Sequence, residues 1–426
     1  MERTLVLDLK NNAGKEVTLR GRVQNVRALG NVTFVILQDY TGTIQCVFEK
    51  DPGAKTGDAV EILGEVKEEP RAKGGFEIQG KELEVVAKTQ ELPFDLANPN
   101  LQLQLTTLLD WRTLSLRHPK TQAIFKLYDI LLEAYETVMR KEGFTEVKTP
   151  KILEAASEGG ANFFKIDYFE KDAYLAQSPQ FYKQIMVGVF ERVFEIGSTF
   201  RAEPHFTTRH VNEYISLDGE MGYIESFRDV TAMLTRVFGE IFEIIGEKGK
   251  PYLDLWKVEA PKVPKEIPHI KLSEIKKIVK EKYGYEIPTT TDIDPEGERL
   301  AGQYAKEEFD SDFIFITHYP WSEKPFYTMV SKDNPEETEG FDLLYRGMEI
   351  ITGSQRIHDY KLLMENMKKK GVKPEGMEFY LDVFKYGMPP HGGWGLGSER
   401  VIQQILGLPT IKEAILFPRD VKRLRP

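Results

Sequence analysis

The stretch Gly197–Glu220, GSTFRAEPHFTTRHVNEYISLDGE, concentrates side chains able to do chemistry: Arg201, Glu203, Arg209, His210, Asp218 and Glu220. An apolar run ending in Phe200 enters a charged loop, and a second alternating run, Tyr214 to Met221, leaves it. Two such runs around a loop of this length predict a long antiparallel hairpin. Guanidinium forks match phosphate oxygens, so the loop could grip a polyphosphate. A surface hairpin laced with ion pairs is the competing reading.

Three further stretches bear on that choice. Gly393–Arg400, GWGLGSER, precedes the apolar VIQQILGL. Small residues there, Gly397 among them, let backbone or ligand come close before a helix whose first turns carry Arg400. Asp342–Arg356, DLLYRGMEIITGSQR, sets Asp342, Glu349, Thr352 and Arg356 around a strand and turn. Carboxylates and a hydroxyl suit a hard cation such as Mg2+, although paired surface acids read the same way. In AQSPQFYKQ, Gln180 and Lys183 are three residues apart and face one pocket if the segment is helical. Just upstream, Glu158 is the one acid of a Gly-Gly loop, Ala155–Phe164.

The elements that must position these residues are legible in outline. Five short runs, Glu16–Val26, Val32–Gln38, Thr43–Phe48, Asp58–Lys67 and Gly75–Val86, predict a small closed β-barrel of the OB type. Phe34 and Gln45 fall on neighbouring strands and Glu77 on the last; on residues alone Phe34 reads as core. Residues 91–118, with two prolines and an Asn-Pro step, read as a linker. Pro119–Gly143 is an amphipathic helix with Ile124, Leu127, Leu131, Ala134 and Val138 on one stripe. Residues from about 250 to 315 are Lys/Glu-rich and broken by Pro261, Pro264 and Pro268, the pattern of an inserted, largely solvated helical segment. The expected organisation is α+β: a barrel over 1–92, a hinge over 93–118, and a catalytic domain over 119–426 built on an antiparallel sheet flanked by helices.

Composition narrows the class. A chain of 426 residues, 41% hydrophobic and 29% charged, can build two ordinary cores. Its apolar runs are too short to span a bilayer, and the single cysteine, Cys46, excludes intrachain disulfides and cysteine metal cages. The acid-bearing start MERTLVLDLKNN does not read as a secretory leader, so a cytoplasmic protein is expected. The net charge of −10 runs against a broadly basic nucleic-acid-binding surface, while leaving room for local basic patches.

FRAE…RHxxE followed by GxGxER, with GFTEVKTP before them, resembles motifs 2, 3 and 1 of class II aminoacyl-tRNA synthetases. SEGGAxxF, AQSPQxYKQ and the terminal FPRDxxRLxP are similar to the archaeal-type aspartyl-tRNA synthetases, and the resemblance covers essentially the whole chain in order. It implies activation of aspartate by ATP with Mg2+, then transfer to tRNA. Arg201, Glu203 and Arg400 would be the catalytic set, joined by Arg209, His210, Asp342, Glu349 and Gly397 around ATP. Asp342, Glu349 and Thr352 would hold the metal, with threonine where the family usually has serine. Glu158, Gln180, Lys183, Asp218 and Arg356 would read aspartate: Lys183 and Arg356 the side-chain carboxylate, Glu158 and Gln180 the α-ammonium, Asp218 orienting the arginines.

Phe34, Gln45 and Glu77 match the family's anticodon-contacting positions. Gln24 stands where enzymes restricted to tRNA(Asp) carry tryptophan, which implies charging of tRNA(Asn) as well and an amidotransferase partner. Lys73, in PRAKGGFE, matches the restricted pattern and argues the other way. The resemblance also implies a homodimer through the helix after Pro119, and no membrane partner. Three alternatives remain open at this level: an asparaginyl-tRNA synthetase, a tRNA-independent asparagine synthetase on the same domain, and an inactive RNA-binding paralogue.

Overall fold

The computed structural model describes residues 2–72, 74–154, 163–204 and 206–426, so Lys73 and Glu158 lie outside the described residues. The chain divides into two compact units, Met1–Thr121 and Gln122–Pro426.

In the first unit, β1 (Glu16–Leu29), β2 (Val32–Gln38), β3 (Thr43–Phe48), β4 (Ala59–Glu68) and β5 (Phe76–Ala87) close into a barrel in the order β1-β2-β3-β5-β4. Every second residue of β2 and β3 is buried, as period-two patterning requires. Val35, Leu37, Ile44 and Cys46 point inward. Burial pushes the Cys46 thiol up, so it behaves as a small apolar core residue. Downstream of the barrel the expected linker contains two short helices, α1 (Leu105–Asp110) and α2 (Arg112–Ser115).

The second unit begins within α3 (Pro119–Lys141), whose predicted stripe from Ile124 to Val138 is wholly buried. Next come β6 (Thr145–Glu146), a small three-stranded sheet of β7 (Ile152–Leu153), β8 (Lys165–Tyr168) and β9 (Lys171–Leu175), then α4 (Gln180–Phe190). The predicted hairpin is β10 (Arg192–Phe200) and β11 (Glu213–Gly222), paired antiparallel from Arg192↔Met221 to Phe200↔Glu213. α5 (Phe227–Lys248) starts at a capping box in which Ser226 accepts from Arg228 N–H while Asp229 accepts from Ser226 N–H. α6 (Lys250–Trp256), β12 (His269–Lys271), α7 (Leu272–Tyr283) and α8 (Pro295–Phe309) make up the insertion, and β13 (Phe313–Thr317) returns to the main sheet. β14 (Gly340–Tyr345), β15 (Met348–Gln355), α9 (Tyr360–Lys369), α10 (Glu378–Lys385), β16 (His391–Gly397) and α11 (Ser398–Leu406) complete the unit.

The main sheet runs β12-β13-β14-β15-β16-β11-β10-β6. Its six central strands are antiparallel, but β6 and β12 join the edges in parallel, so the sheet is mixed at its rims rather than purely antiparallel. β13 shows why it reads as an unbroken apolar run. Phe313 and Phe315 enter the core under α3 and α5, while Ile314 and Ile316 pack on the other face with α7 and α8. The insertion thus has its own core and adds a strand to the sheet.

Candidate active site

One cleft on the sheet collects Gln180, Lys183, Arg201, Glu203, Arg209 and His210, together with Asp218, Glu349, Thr352, Arg356, Gly397 and Arg400. Strand parity places them: on β11, Leu217 enters the helical core while Ser216 and Asp218 line the cleft.

At one end lies a cluster of four buried charges. Lys183, on α4, donates to Asp218 Oδ1 at 2.9 Å and to the Trp394 carbonyl at 2.8 Å, and stands 3.5 Å from Glu220. Arg356 grips Glu220 with Nε at 2.8 Å and Nη2 at 3.2 Å, and donates to Ser354 Oγ at 2.7 Å. None of the four side chains is more than 6% exposed. Burial works to raise the Glu220 carboxyl, but Arg356 and Lys183 outweigh it and hold it below the usual carboxylate range. Glu220 needs room: a Cβ at Gly393 would come within 2.2 Å of its carboxylate, so the glycine of GWGLG is sterically required. Asp218 orients Lys183, whereas Glu220 orients the arginine, so the expectation that Asp218 serves the arginines is corrected. Asp218 Oδ2 and Gln180 Nε2 are buried without a hydrogen-bond partner, two polar atoms that a bound solute would satisfy.

His391 does not line the cleft. It is fully buried, bonded through Nδ1 to the Pro389 carbonyl and through Nε2 to Gln184, which in turn accepts from Tyr380. Burial lowers its pKa to about 4, which keeps it a neutral structural residue.

The other end is looser. The guanidinium of Arg201 is 3.9 Å from Glu203 and 5.7 Å from the Tyr214 ring centre. His210 Nε2 lies 3.5 Å from Glu203, and Arg209 bonds Glu298 at 2.8 Å. Asn212 ties the loop shut by donating to the carbonyls of Arg201 and Glu203 at 2.7 and 3.1 Å. Arg400, in the first turn of α11, donates to the Glu349 carbonyl at 2.8 Å and stands 3.6 Å from its carboxylate. A Cβ at Gly397 would touch nothing nearer than the Arg400 side chain at 3.7 Å, so the fold does not demand glycine there and the space belongs to the cleft.

Asp342 and Thr352 face each other across β14 and β15. A register shift between Leu343 and Leu344 inserts Ile350 as an extra residue, which brings Glu349 opposite Leu344 and back onto the Asp342 face. Without that bulge Glu349 would point away. Burial, with Asp342 and Glu298 adding to it against Arg400 and Lys324, pushes the Glu349 carboxyl above its ordinary value. Asp342, Glu349 and Glu298 each have a basic partner, Lys324, Arg400 and Arg209, so an added cation would have to share their oxygens. Among the described residues no group of three or more Asp, Glu, His or Cys is placed to hold a metal ion, so a Mg2+ ion here would take few protein ligands and complete its shell from phosphate or water.

In the barrel, Phe34 is half-buried on the outer face and not in the core, correcting the reading from residues alone. Gln45 donates to Glu77 at 3.2 Å, and Gln24 falls in the irregular step of β1 between Val23 and Asn25.

The family profile described as tRNA synthetases class II (D, K and N) matches residues 104–421, and that of the OB-fold nucleic acid binding domain matches 17–86. The chain belongs to the class II tRNA synthetases. Similar curated members of this family include the aspartate–tRNA(Asp/Asn) ligase of Deinococcus radiodurans, 45% identical with 100% of this chain and 99% of that protein covered. The aspartate–tRNA(Asp) ligase of Pyrococcus abyssi is 43% identical, with 97% of each covered. Among solved structures, asparaginyl-tRNA synthetase from Pyrococcus horikoshii with asparaginyl-adenylate aligns at TM-score 0.92 and 32% identity over 100% of both chains.

Within this class II synthetase, sequence reasoning missed one residue of the cleft lining, Lys324, and one that holds lining residues from behind, Glu298. Glu298 comes from the insertion expected to be solvated, and nothing near it in DPEGERL signals a site. Lys324 donates to Asp342 at 3.0 Å, and its only signal was a lysine just before the apolar Pro325-Phe-Tyr327. Among the described residues, no helix is long and apolar enough to cross a membrane.

Proposed function

We infer that the protein is an aspartate–tRNA ligase. The observation that carries this reading is the pair of buried cations, Lys183 and Arg356, sharing Glu220 at one end of a cleft whose other end is lined by Arg201, Arg209 and Arg400. A side-chain carboxylate meets fixed positive charge there. Asp218 and Glu220 already balance the two cations, so the discrimination against asparagine comes from its amide N–H, which would face these donors where a carboxylate oxygen would accept from them. Asp218 Oδ2 is the acceptor an α-ammonium needs.

In the first step an oxygen of aspartate's α-carboxylate attacks the α-phosphorus of ATP. The P–O bond to the β-phosphate breaks and pyrophosphate leaves with the electron pair. Arg201 neutralises the α-phosphate and the incoming carboxylate, Glu203 receives the adenine amino group, and Arg209, His210 and Arg400 hold the outer phosphates and the base. Bound at Asp342, Glu349 and Thr352, Mg2+ would draw charge from the phosphate oxygens. In the second step the terminal ribose hydroxyl of tRNA attacks the aspartyl carbonyl and AMP leaves. Phe34, Gln45 and Glu77 on the barrel read unstacked anticodon bases by stacking and edge bonding. Gln24 favours charging of tRNA(Asn) beside tRNA(Asp), with an amidotransferase downstream, and the enzyme works as a cytoplasmic homodimer.

Charging of purified tRNA(Asp) and tRNA(Asn) transcripts with labelled aspartate, and in parallel with labelled asparagine, tests this. Aspartate on both tRNAs is expected. Aspartate on tRNA(Asp) alone removes the Gln24 argument, and asparagine charging overturns the assignment of Lys183 and Arg356.

A further inference from the structure

Lys324 sits on the connection between β13 and β14, its Nζ 3.0 and 3.3 Å from the two oxygens of Asp342 and 3.4 Å from Thr352 Oγ1. The same ammonium is 3.9 Å from the centre of the buried Tyr319 ring, and the side chain is only 13% exposed. It is therefore a held cation, yet it lines the same cleft as Arg201 and Arg400. Resting on the reading that Asp342, Glu349 and Thr352 receive Mg2+, two of the three oxygen-bearing groups are already engaged by a positive charge of the chain itself. Mg2+ demands its oxygens at about 2.0–2.1 Å in near-octahedral array. An ammonium bonded to the same lone pairs cannot keep its place, and two cations so close in a partly dry cleft repel strongly.

We propose that Lys324 is a positioning residue that makes metal binding conditional on nucleotide: its ammonium guards Asp342 and Thr352 until a polyphosphate offers it other anionic oxygens. The four-carbon stem allows such a transfer, because lysine is a point charge on a flexible tether rather than a fixed fork. Metal and ATP then enter as a coupled pair. The carboxylates do not capture a divalent ion in advance of the substrate that needs it.

The test uses Mn2+ as probe, counted by electron paramagnetic resonance on the full chain, with and without a non-hydrolysable ATP analogue. Wild type should bind Mn2+ weakly alone and much more tightly with nucleotide. Lys324→Gln should tighten nucleotide-free Mn2+ binding about tenfold and shrink the nucleotide effect by the same factor, by the reciprocity of coupled sites; Lys324→Arg, which keeps the charge, should stay close to wild type. Equal nucleotide-free affinity in Lys324→Gln and wild type, with Asp342→Asn still weakening it, would overturn the guarding role and leave the metal reading standing. Unchanged Mn2+ binding in Asp342→Asn, with nucleotide present or absent, would overturn the metal reading and this proposal with it. Should Lys324→Gln fail to fold, wild type binding Mn2+ equally well with and without nucleotide overturns the proposal by itself.

Discussion

The two ends of the cleft solve opposite problems with the same residue types. At the end proposed to hold the amino acid, Lys183, Asp218, Glu220 and Arg356 are buried, closely paired and two against two in charge. At the end proposed for the phosphates, Arg201 and His210 are each 36% exposed and stand 3.9 and 3.5 Å from Glu203, with Thr207 Oγ1 2.6 Å from His210 Nδ1. A dry, closely paired cluster with Asp218 Oδ2 still to be satisfied discriminates, because a solute of the wrong charge leaves a group unsatisfied. A wet, loosely tied set adapts, because a triphosphate brings enough charge to attract guanidinium groups without a preformed lock. Selectivity and catalysis are thus assigned to regions of different stiffness.

Breaking the stiff end should cost most. Lys183→Met should lower kcat/KM for aspartate activation by about a thousandfold, read by pyrophosphate exchange. It should also lower stability by roughly 3 kcal/mol, because Asp218 is left buried and unpaired. Arg400→Ala at the loose end should lower kcat/KM for ATP by about a hundredfold, with the thermal midpoint unmoved. If Arg400→Ala destabilises as much as Lys183→Met, the contrast between the ends is wrong.

A third variant probes the buried base of α11. Glu399 is fully enclosed, accepts from Ile215 N–H and Tyr128 O–H, and burial raises its pKa from 4.5 to about 7. A carboxyl raised in the folded state holds a proton that the unfolded chain has released, so stability must fall as pH rises from about 4.5 to 7. Relative to wild type, Glu399→Gln should gain up to about 3 kcal/mol between pH 5 and 8, read as a difference between denaturation curves. A flat difference would remove this group from the stiff region. The smallest effect is expected at Arg209, held by Glu298 at 2.8 Å. Glu298→Gln should raise the KM for ATP a few-fold, about 1 kcal/mol for a charge-assisted bond in partial solvent, and leave aspartate selectivity intact.

Much of the molecule was legible in the chain. The period-two runs of the barrel, the stripe on α3 and the Gly197–Glu220 hairpin each declare a local geometry, and the structure builds all three. The glycines before Arg400 also signalled a close approach, although at Gly393 what approaches is Glu220. What stayed hidden depends on contacts between segments distant in sequence. Glu298 reaches Arg209 and Glu349 because the insertion packs on Ile314, Ile316 and Leu344, and no local pattern encodes that docking. Phe34 reads as core from residues alone because an aromatic between Thr33 and Val35 suits either face of a strand. Only the alternation with Val35 and Leu37 settles it. The edge strands β6 and β12 are two and three residues long, too short to carry a period at all.

The extra residue in β15 has a consequence of its own. A regular ladder has two-valued parity: each side chain belongs to one face or the other, and sliding by one residue exchanges them. By stepping out of register between Leu343 and Leu344, the strand lets Glu349 and Thr352, three apart in the chain, share a face that even spacing would otherwise be needed to reach. Spacing here is therefore as informative as identity. Removing Ile350 would leave every charged group of the cleft in the sequence and yet turn Glu349 or Thr352 out of it, so this segment tolerates a change of side chain more readily than a change of length.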